Sequence, residues 1–210
     1  MRKIVTLLAG LLCAVALWAQ ETPEQILNKL DAWMDRAETE GLSMTMDMKI
    51  PILGTFSTRV SELGQKTRLE MEAKGIKIID WEDGKTSWSY NSKNNEITIK
   101  NEKPDASSDA DDGLSMMDGI TDGYDVVLEK ETADVWYFLC KKQKTNKDKD
   151  APKKMNVSVK KGTYALDRFQ AAMSGVSITI YDMSIGVKEE DVTFDISRYP
   201  NAKIVDERNK

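Results

Sequence analysis

Short runs of alternating apolar and polar residues, separated by only a few turn residues, constrain this chain more than any other feature. In residues 42–50, LSMTMDMKI, leucine, methionine and isoleucine occupy every second position. Successive side chains of a strand point to opposite faces of a sheet, so this run predicts a strand with one apolar face. Strands joined by such short turns pair as antiparallel neighbours, and strict alternation predicts one buried and one solvated face.

The alternation recurs along most of the chain and predicts ten or eleven strands in total. Asp83-Gly84 is a strong hairpin signal. Between Ile78 and Ile79 the apolar phase changes, which indicates a bulge. The further runs lie at 56–60, 69–73, 76–81, 86–90, 97–99, 125–130, 134–141, 155–159, 164–173 and 176–181. Such a sheet must close into a barrel, pack on a second sheet or be covered by helices.

Two apolar helical segments accompany the strands. Thr22-Pro23-Glu24-Gln25 fits a capping box with proline at the first helical position, and Gly41 is a plausible end. One face of this helix is apolar, comprising Ile26, Leu27, Leu30, Trp33, Met34 and Ala37. The stretch 101–113 breaks the alternation and is polar and acidic, so it is predicted to be a loop. A calcium site there is rejected, because the aspartates lack the spacing of an EF-hand. A second, shorter helix is predicted around Leu114, Met116, Met117 and Ile120.

The first nineteen residues have the layout of a secretory signal peptide. Arg2 and Lys3 precede an apolar run that ends near Ala19, with cleavage predicted near Ala19 or Gln20. A retained anchor is the alternative, although the run is shorter than the roughly 20 residues of a membrane span. A lipoprotein signal at Cys13 is rejected, because Leu12 is too large for the position before a lipidated cysteine. Residues 20–210 are predicted to form a single domain in the oxidising compartment that a signal peptide implies.

Composition excludes several classes of function. Removing Arg2 and Lys3 from 30 basic residues leaves 28 against 35 acidic residues, a net charge of −7 that argues against nucleic-acid binding. The chain has no histidine, which excludes His-dependent nucleophilic triads and His-based zinc sites. After cleavage only Cys140 remains, and its apolar surroundings favour a buried, inert thiol over a reactive one. No catalytic, metal or cofactor site is predicted.

Two features have both a structural and a functional interpretation. The methionines of residues 42–50 either fill an irregular core or form a pliable surface, because methionine is flexible and polarizable. The segment 141–161 holds nine lysines and only two acids, Asp148 and Asp150. It is either a solvated loop or a docking surface for an acidic partner or an anionic membrane face.

Two segments resemble the LolA-like family of periplasmic lipoprotein carriers. Residues 83–91, DGKTSWSYN, are similar to the family's DGKTxWxYN hairpin. The tail resembles the family's closing pattern, with Val192-Thr193-Phe194-Asp195 followed by residues 199–206, YPNAKIVD. Ala202 stands where the family has glycine, and no Arg-Pro pair precedes the third strand. The family's lid-fastening role is therefore not carried onto Arg59 or Arg68.

The resemblance implies a mainly β (α+β) fold, an incomplete antiparallel β-barrel with a helical lid over an apolar cavity. It implies a monomer that acts as a chaperone for acylated lipoproteins or lipids, supplied by an inner-membrane releasing complex and delivered to an outer-membrane acceptor. The implied cavity lining is Leu42, Met44, Met46, Met48, Ile50, Phe56, Leu69, Met71, Ile78, Trp88 and Tyr90. The implied lid is Ile26, Leu30, Trp33, Met34, Leu114, Met116, Met117 and Ile120.

Three hypotheses follow, in descending order of preference. The first is a carrier that shields acyl chains and transfers lipoproteins toward the outer membrane. The second is a lipid- or lipoprotein-sensing module on the same fold, which the absence of a second predicted domain disfavours. The third is an enzyme such as a carboxylate-dependent hydrolase, for which no catalytic constellation can be named.

Overall fold

A computed structural model of the protein describes residues 21–101, 121–149, 151–173 and 175–208. The predicted leader and the predicted helix at Leu114, Met116, Met117 and Ile120 lie outside these residues. The helices are α1 (Pro23–Glu40) and the short α2 (Glu189–Val192), followed by a 3-10 turn at Ile196–Arg198. The strands are β1 (Leu42–Ile50), β2 (Gly54–Leu63), β3 (Lys66–Ala73), β4 (Ile76–Glu82), β5 (Thr86–Asn91), β6 (Glu96–Asn101), β7 (Tyr124–Glu131), β8 (Val135–Lys142), β9 (Lys154–Lys160), β10 (Leu166–Met173), β11 (Val176–Ile185) and β12 (Lys203–Asp206).

All described strands belong to one sheet, in the order β12-β6-β5-β4-β3-β2-β1-β11-β10-β9-β8-β7. The predicted mainly β class and the open antiparallel sheet are confirmed. The structure adds one short strand from the tail to the ten or eleven predicted, and this strand, β12, pairs with β6 in parallel. Alternation cannot reveal a four-residue strand such as KIVD, whose apolar residues are adjacent.

The helix α1 begins and ends where its sequence predicts. The Thr22 side chain accepts a hydrogen bond from the backbone N–H of Gln25, whose side chain accepts from the Thr22 N–H, completing the capping box. Gly41 ends the helix with a φ of +79°. A Cβ there would lie 2.7 Å from the Glu62 carbonyl oxygen, so only glycine allows this close approach of α1 to β2.

The sheet has two faces, which we call inner and outer. The inner face carries Leu42 and Met44 of β1 and the residues that pair with them, such as Val60 on β2. The helix α1 lies on this face, and its apolar side chains join the main core there. Further inner-face core residues are Phe138, Cys140, Met155, Val157, Phe169, Ala171, Ile178 and Ile180. The outer face of the central strands carries serine, threonine and charged residues.

Strand β4 is apolar on both faces. Ile78 pairs with Met71 on the inner face, whereas Ile79 and Trp81 pair with Tyr90 and Trp88 on the outer face. The pairing runs without a register shift, so the bulge predicted between Ile78 and Ile79 is wrong. The change of phase instead marks a strand that contributes to two separate apolar clusters.

Within the described ranges, no helix combines the length and apolar character needed to cross a membrane.

Candidate functional site

The methionine strand β1 changes environment along its length. Leu42 and Met44 are fully buried beneath α1, whereas Met46, Met48 and Ile50 are only half-buried. Met46 still contacts the main core. The apolar side chains of an ordinary core strand are buried along its whole length. The C-terminal half of β1 therefore presents apolar side chains on the inner face that the described residues do not fully cover.

Neighbouring strands extend this half-buried region on the inner face. Met48 pairs with Phe56 on β2, and Met71 on β3 pairs with Ile78 on β4. We call the set Met46, Met48, Ile50, Phe56, Met71 and Ile78 the inner apolar surface; all six are half-buried. Its side chains are flexible or aliphatic, which suits contact with a disordered hydrocarbon chain. Leu69 lies beside it and packs against the core.

Trp88 and Tyr90 do not share this surface. Both lie on the outer face, paired with Trp81 and Ile79, so the expectation that they line one cavity with the methionines is wrong. They pack instead against the C-terminal segment. The ring centroid of Phe194 lies 5.3 Å from that of Trp88, and Tyr199 lies 4.5 Å from Tyr90. The hairpin motif therefore anchors the tail.

The four α1 residues assigned to the lid are all buried against the inner face. Residues Ile26, Leu30, Trp33 and Met34 contact the same core cluster as Leu42 and Met44. In this arrangement α1 closes one half of the inner face. The other four assigned lid residues lie outside the described residues.

The side chains of Glu21, Lys29 and Tyr164 form a polar cluster at the start of α1, here called the Tyr164 clasp, which the sequence does not predict. The Tyr164 hydroxyl donates to the Glu21 carboxylate, with an Oη–Oε2 distance of 3.0 Å, and accepts from Lys29 Nζ at 3.0 Å. Lys29 Nζ also bonds Glu21 and lies 4.3 Å from the centre of the Tyr164 ring. The hydrogen bond from Lys29, with a smaller contribution from Tyr164, holds the pKa of Glu21 below its ordinary value, although burial opposes this shift. The ring of Tyr164 stacks on Trp136 at 5.7 Å.

Arg59 and Arg68 lie on the outer face, away from α1. Arg68 Nη2 is 2.7 Å from Glu70 Oε1, and Nη1 donates to the Asp191 carbonyl oxygen at 3.3 Å. Its guanidinium carbon lies 5.7 Å from the centre of Trp81. Arg68 thus helps hold the C-terminal segment. A cavity of about 480 Å³ beside it is lined largely by polar residues, including Ser43, Arg59 and Ser61.

The described part of the chain holds one cysteine, Cys140, besides its acidic side chains. Cys140 is completely buried, and burial raises the pKa of its thiol to about 11. A thiol held neutral at physiological pH is a poor nucleophile. Across the described residues, no group of three or more cysteine, aspartate or glutamate side chains could hold a metal ion.

Comparison with known proteins gives likenesses in fold alone. No protein-family model matches the chain, and no curated protein matches it significantly. Among solved structures, the Mycobacterium tuberculosis lipoprotein LppX is 11% identical over 78% of this chain and 95% of that chain, with a TM-score of 0.48. A LolA superfamily protein from Nitrosomonas europaea is 12% identical over 84% and 99%, with a TM-score of 0.32.

An outer membrane lipoprotein-sorting protein domain from Vibrio parahaemolyticus is 13% identical over 80% of this chain and 97% of that chain, with a TM-score of 0.31. Scores this low transfer neither ligand nor activity. The chain's own features are an open antiparallel sheet, a helix across its inner face and the hairpin of residues 83–91. The fold of this chain is therefore described from its own strands and helix, as an open sheet with α1 across its inner face.

Proposed function

We propose that the protein is a periplasmic carrier that shelters the acyl chains of lipoproteins against the inner apolar surface and transfers them toward the outer membrane. The observation that carries the proposal is the gradient of burial along β1, from the buried Met44 to the half-buried Met48. In this proposal residues 1–19 are a cleaved signal peptide and residues 20–210 form one monomeric domain. The donor is an inner-membrane releasing complex, and the recipient is an outer-membrane acceptor.

The energetics favour a non-covalent carrier. Burying one CH₂ group is worth about 0.8 kcal/mol, so one long acyl chain represents on the order of 10 kcal/mol. Such a chain does not cross water unshielded at a useful rate. A pliable, incompletely covered surface can offset much of that energy and still release its cargo, because the empty state is not a perfectly packed core. Neither binding nor release then needs a nucleophile or a metal.

The test compares an aspartate placed at three positions of β1. Met48→Asp puts a charge on the inner apolar surface, and we expect the protein to fold but to lose uptake of a fluorescent diacylglyceryl-cysteine peptide by at least about tenfold. Met44→Asp buries the same charge beneath α1 and should unfold the domain. Thr45→Asp lies on the outer face opposite Arg59, and should leave both folding and uptake unchanged.

The measurements are circular dichroism for folding and fluorescence titration for uptake, with the unacylated peptide as the ligand control. Full uptake by a folded Met48→Asp protein contradicts the proposed surface. Native mass spectrometry of protein purified gently from the periplasm then identifies any bound acylated species. Exchange of that species between donor and acceptor vesicles distinguishes a carrier from a sensing module, which would bind without transferring.

A further inference from the structure

The tip of the β1–β2 hairpin exposes two large apolar side chains. Ile50 pairs with Gly54, so the loop consists of only Pro51, Ile52 and Leu53. Ile52 is fully exposed and Leu53 is 68% exposed, more than any other large apolar side chain in the described ranges. Adjacent exposed aliphatic side chains at a protruding tip are typical of a contact site.

The backbone of this tip adds a second observation. Ile52 has a φ of +74°, in the left-handed region that β-branched residues strongly disfavour. Glycine or asparagine would adopt this conformation with less strain. An isoleucine here gains no packing within the described fold, because its side chain is entirely in solvent. The local conformation is therefore unfavourable for the isolated protein and points to a contact outside it.

The tip belongs to one end of the sheet, which we call the hairpin end. The turns at 74–75 and around Gly175 lie at the same end, as does the lysine-rich loop 143–153 between β8 and β9. Strand β1 is three strands from β9 in the sheet order, which corresponds to about 14 Å at the usual strand spacing. A cavity of about 540 Å³ lies between Lys149, Pro152 and the end of β10 at Met173.

The hairpin end is rich in cations, although the chain as a whole has a net charge of −5. Lys49 directly precedes Ile50, and Lys74 lies in the adjacent β3–β4 turn. The exposed lysines at this end include Lys49, Lys74, Lys93, Lys141, Lys144, Lys147, Lys149, Lys153 and Lys154. The acidic residues there include Glu72, Glu96, Asp122, Asp125 and Asp148. Exposed cations around a protruding apolar tip are complementary to an anionic lipid surface.

We propose that the hairpin end docks on the surface of an anionic phospholipid bilayer, with Ile52 and Leu53 inserted among the headgroups and the surrounding lysines on the lipid phosphates. Strand β1 joins this tip directly to the inner apolar surface, since Met48 and Ile50 belong to that surface and Ile50 is the last residue before the loop. The contact would place the acyl-binding surface next to the membrane. It does not depend on acyl binding, and the two are tested separately.

Vesicle flotation provides the first test. We expect the protein to float with vesicles that contain about one third phosphatidylglycerol, but not with phosphatidylcholine alone, and to dissociate as salt is raised. The double variant Ile52→Ser/Leu53→Ser should lower partitioning by at least about tenfold. The matched control is Ile196→Ser, which removes another exposed isoleucine, 52% accessible, from the C-terminal segment.

The lysines are tested by a matched pair of turn residues. Lys74 lies in the β3–β4 turn at the hairpin end, and Lys85 lies in the β4–β5 turn at the opposite end. Lys74→Gln should weaken partitioning by about fivefold, the effect of one lysine near an anionic surface, whereas Lys85→Gln should leave it unchanged.

A position-specific probe completes the test. Leu53→Cys can be labelled with an environment-sensitive dye, because the native thiol of Cys140 is buried and unreactive. We expect the emission to shift to the blue on adding anionic vesicles. No vesicle binding, full binding by the serine double variant or an unshifted dye each overturns the proposal.

Uptake of the acylated peptide is measured in parallel without vesicles. The tip variants should retain it, because the tip lies outside the inner apolar surface. If they lose uptake but still float, the membrane proposal is wrong and the tip belongs to the acyl site. If the parent floats but takes up no peptide, the membrane contact stands and the carrier function fails.

Discussion

At the residue scale, position along a strand decides what an apolar side chain does. Met44 and Met48 differ by four residues and share one face of β1, yet only Met44 is buried under α1. Alternation in the sequence predicts the shared face. It does not predict how much of β1 is covered by α1, because that depends on the path of α1 across the sheet.

Cys140 gives a prediction about pH. Burial disfavours the thiolate and raises the pKa of the Cys140 thiol from its ordinary value of 9.0 to about 11. A raised folded-state pKa contributes stability that is fully present below the unfolded-state pKa and is lost as pH rises through the folded-state value. We therefore expect the urea midpoint to fall between about pH 9 and pH 11.

The matched control for this pH effect is Cys140→Val, a buried apolar residue without a titrating group. Its urea midpoint should fall less steeply over the same range, since only lysine and tyrosine titrations remain. Identical slopes for the two proteins would contradict the assignment. The native thiol should also resist Ellman's reagent until the protein is unfolded.

At the element scale, α1 and most strands follow from local patterns. The apolar period of α1, its capping box and its terminal glycine all agree, which is why its bounds are predictable. The assignment of Trp88 and Tyr90 fails for a definable reason. The face of the sheet on which Trp88 and Tyr90 lie depends on the register of β4. Because β4 carries isoleucine on both faces, alternation alone cannot decide between the inner and the outer face.

The Tyr164 clasp gives the prediction for this element. Tyr164→Phe keeps the ring stacked on Trp136 but removes the hydroxyl that bonds Glu21 and Lys29. We expect a small loss of thermal stability and faster amide exchange in the first turns of α1, with exchange in the sheet unchanged. Hydrogen exchange followed by mass spectrometry measures both.

Tyr137→Phe is the control, because Tyr137 lies on β8 with its ring exposed. It should change neither stability nor exchange. If Tyr164→Phe leaves exchange in α1 as slow as in the parent, the clasp does not hold the helix. No local sequence signal indicates this clasp, since its partners are separated by 143 residues.

At the scale of the whole molecule, one sheet supports two apolar clusters on opposite faces. The inner cluster lies under α1, and the outer cluster joins β4–β6 to the C-terminal segment through Phe194 and Tyr199. The alternating strands predict the sheet. The sequence does not predict the second cluster, because the family-like pattern of the tail does not reveal which face of the sheet Phe194 and Tyr199 contact.

Phe194→Ala tests the independence of the two clusters. Phe194 lies 5.3 Å from both Trp81 and Trp88, so its removal should cost about 2 to 3 kcal/mol of the free energy of unfolding. Amides of β12 should exchange faster, while uptake of the acylated peptide stays unchanged. Urea denaturation, amide exchange and peptide titration provide the three readouts.

The neighbouring Ile196→Ala serves as the control, because this side chain is exposed and its loss should cost little. A selective fall in peptide uptake by Phe194→Ala, without global unfolding, would place the outer cluster in the binding site. That result would restore the original assignment of Trp88 and Tyr90.

The half-buried thioethers have a chemical consequence. Met46, Met48 and Met71 are reachable by oxidants, whereas Met44 is not. Oxidation converts a flexible apolar side chain into a polar, chiral sulfoxide, and reductases can reverse it. We expect oxidation of these methionines to leave the sheet folded but to make the inner apolar surface more polar. The methionines that make this surface pliable enough for a variable hydrocarbon therefore also make it sensitive to oxidation.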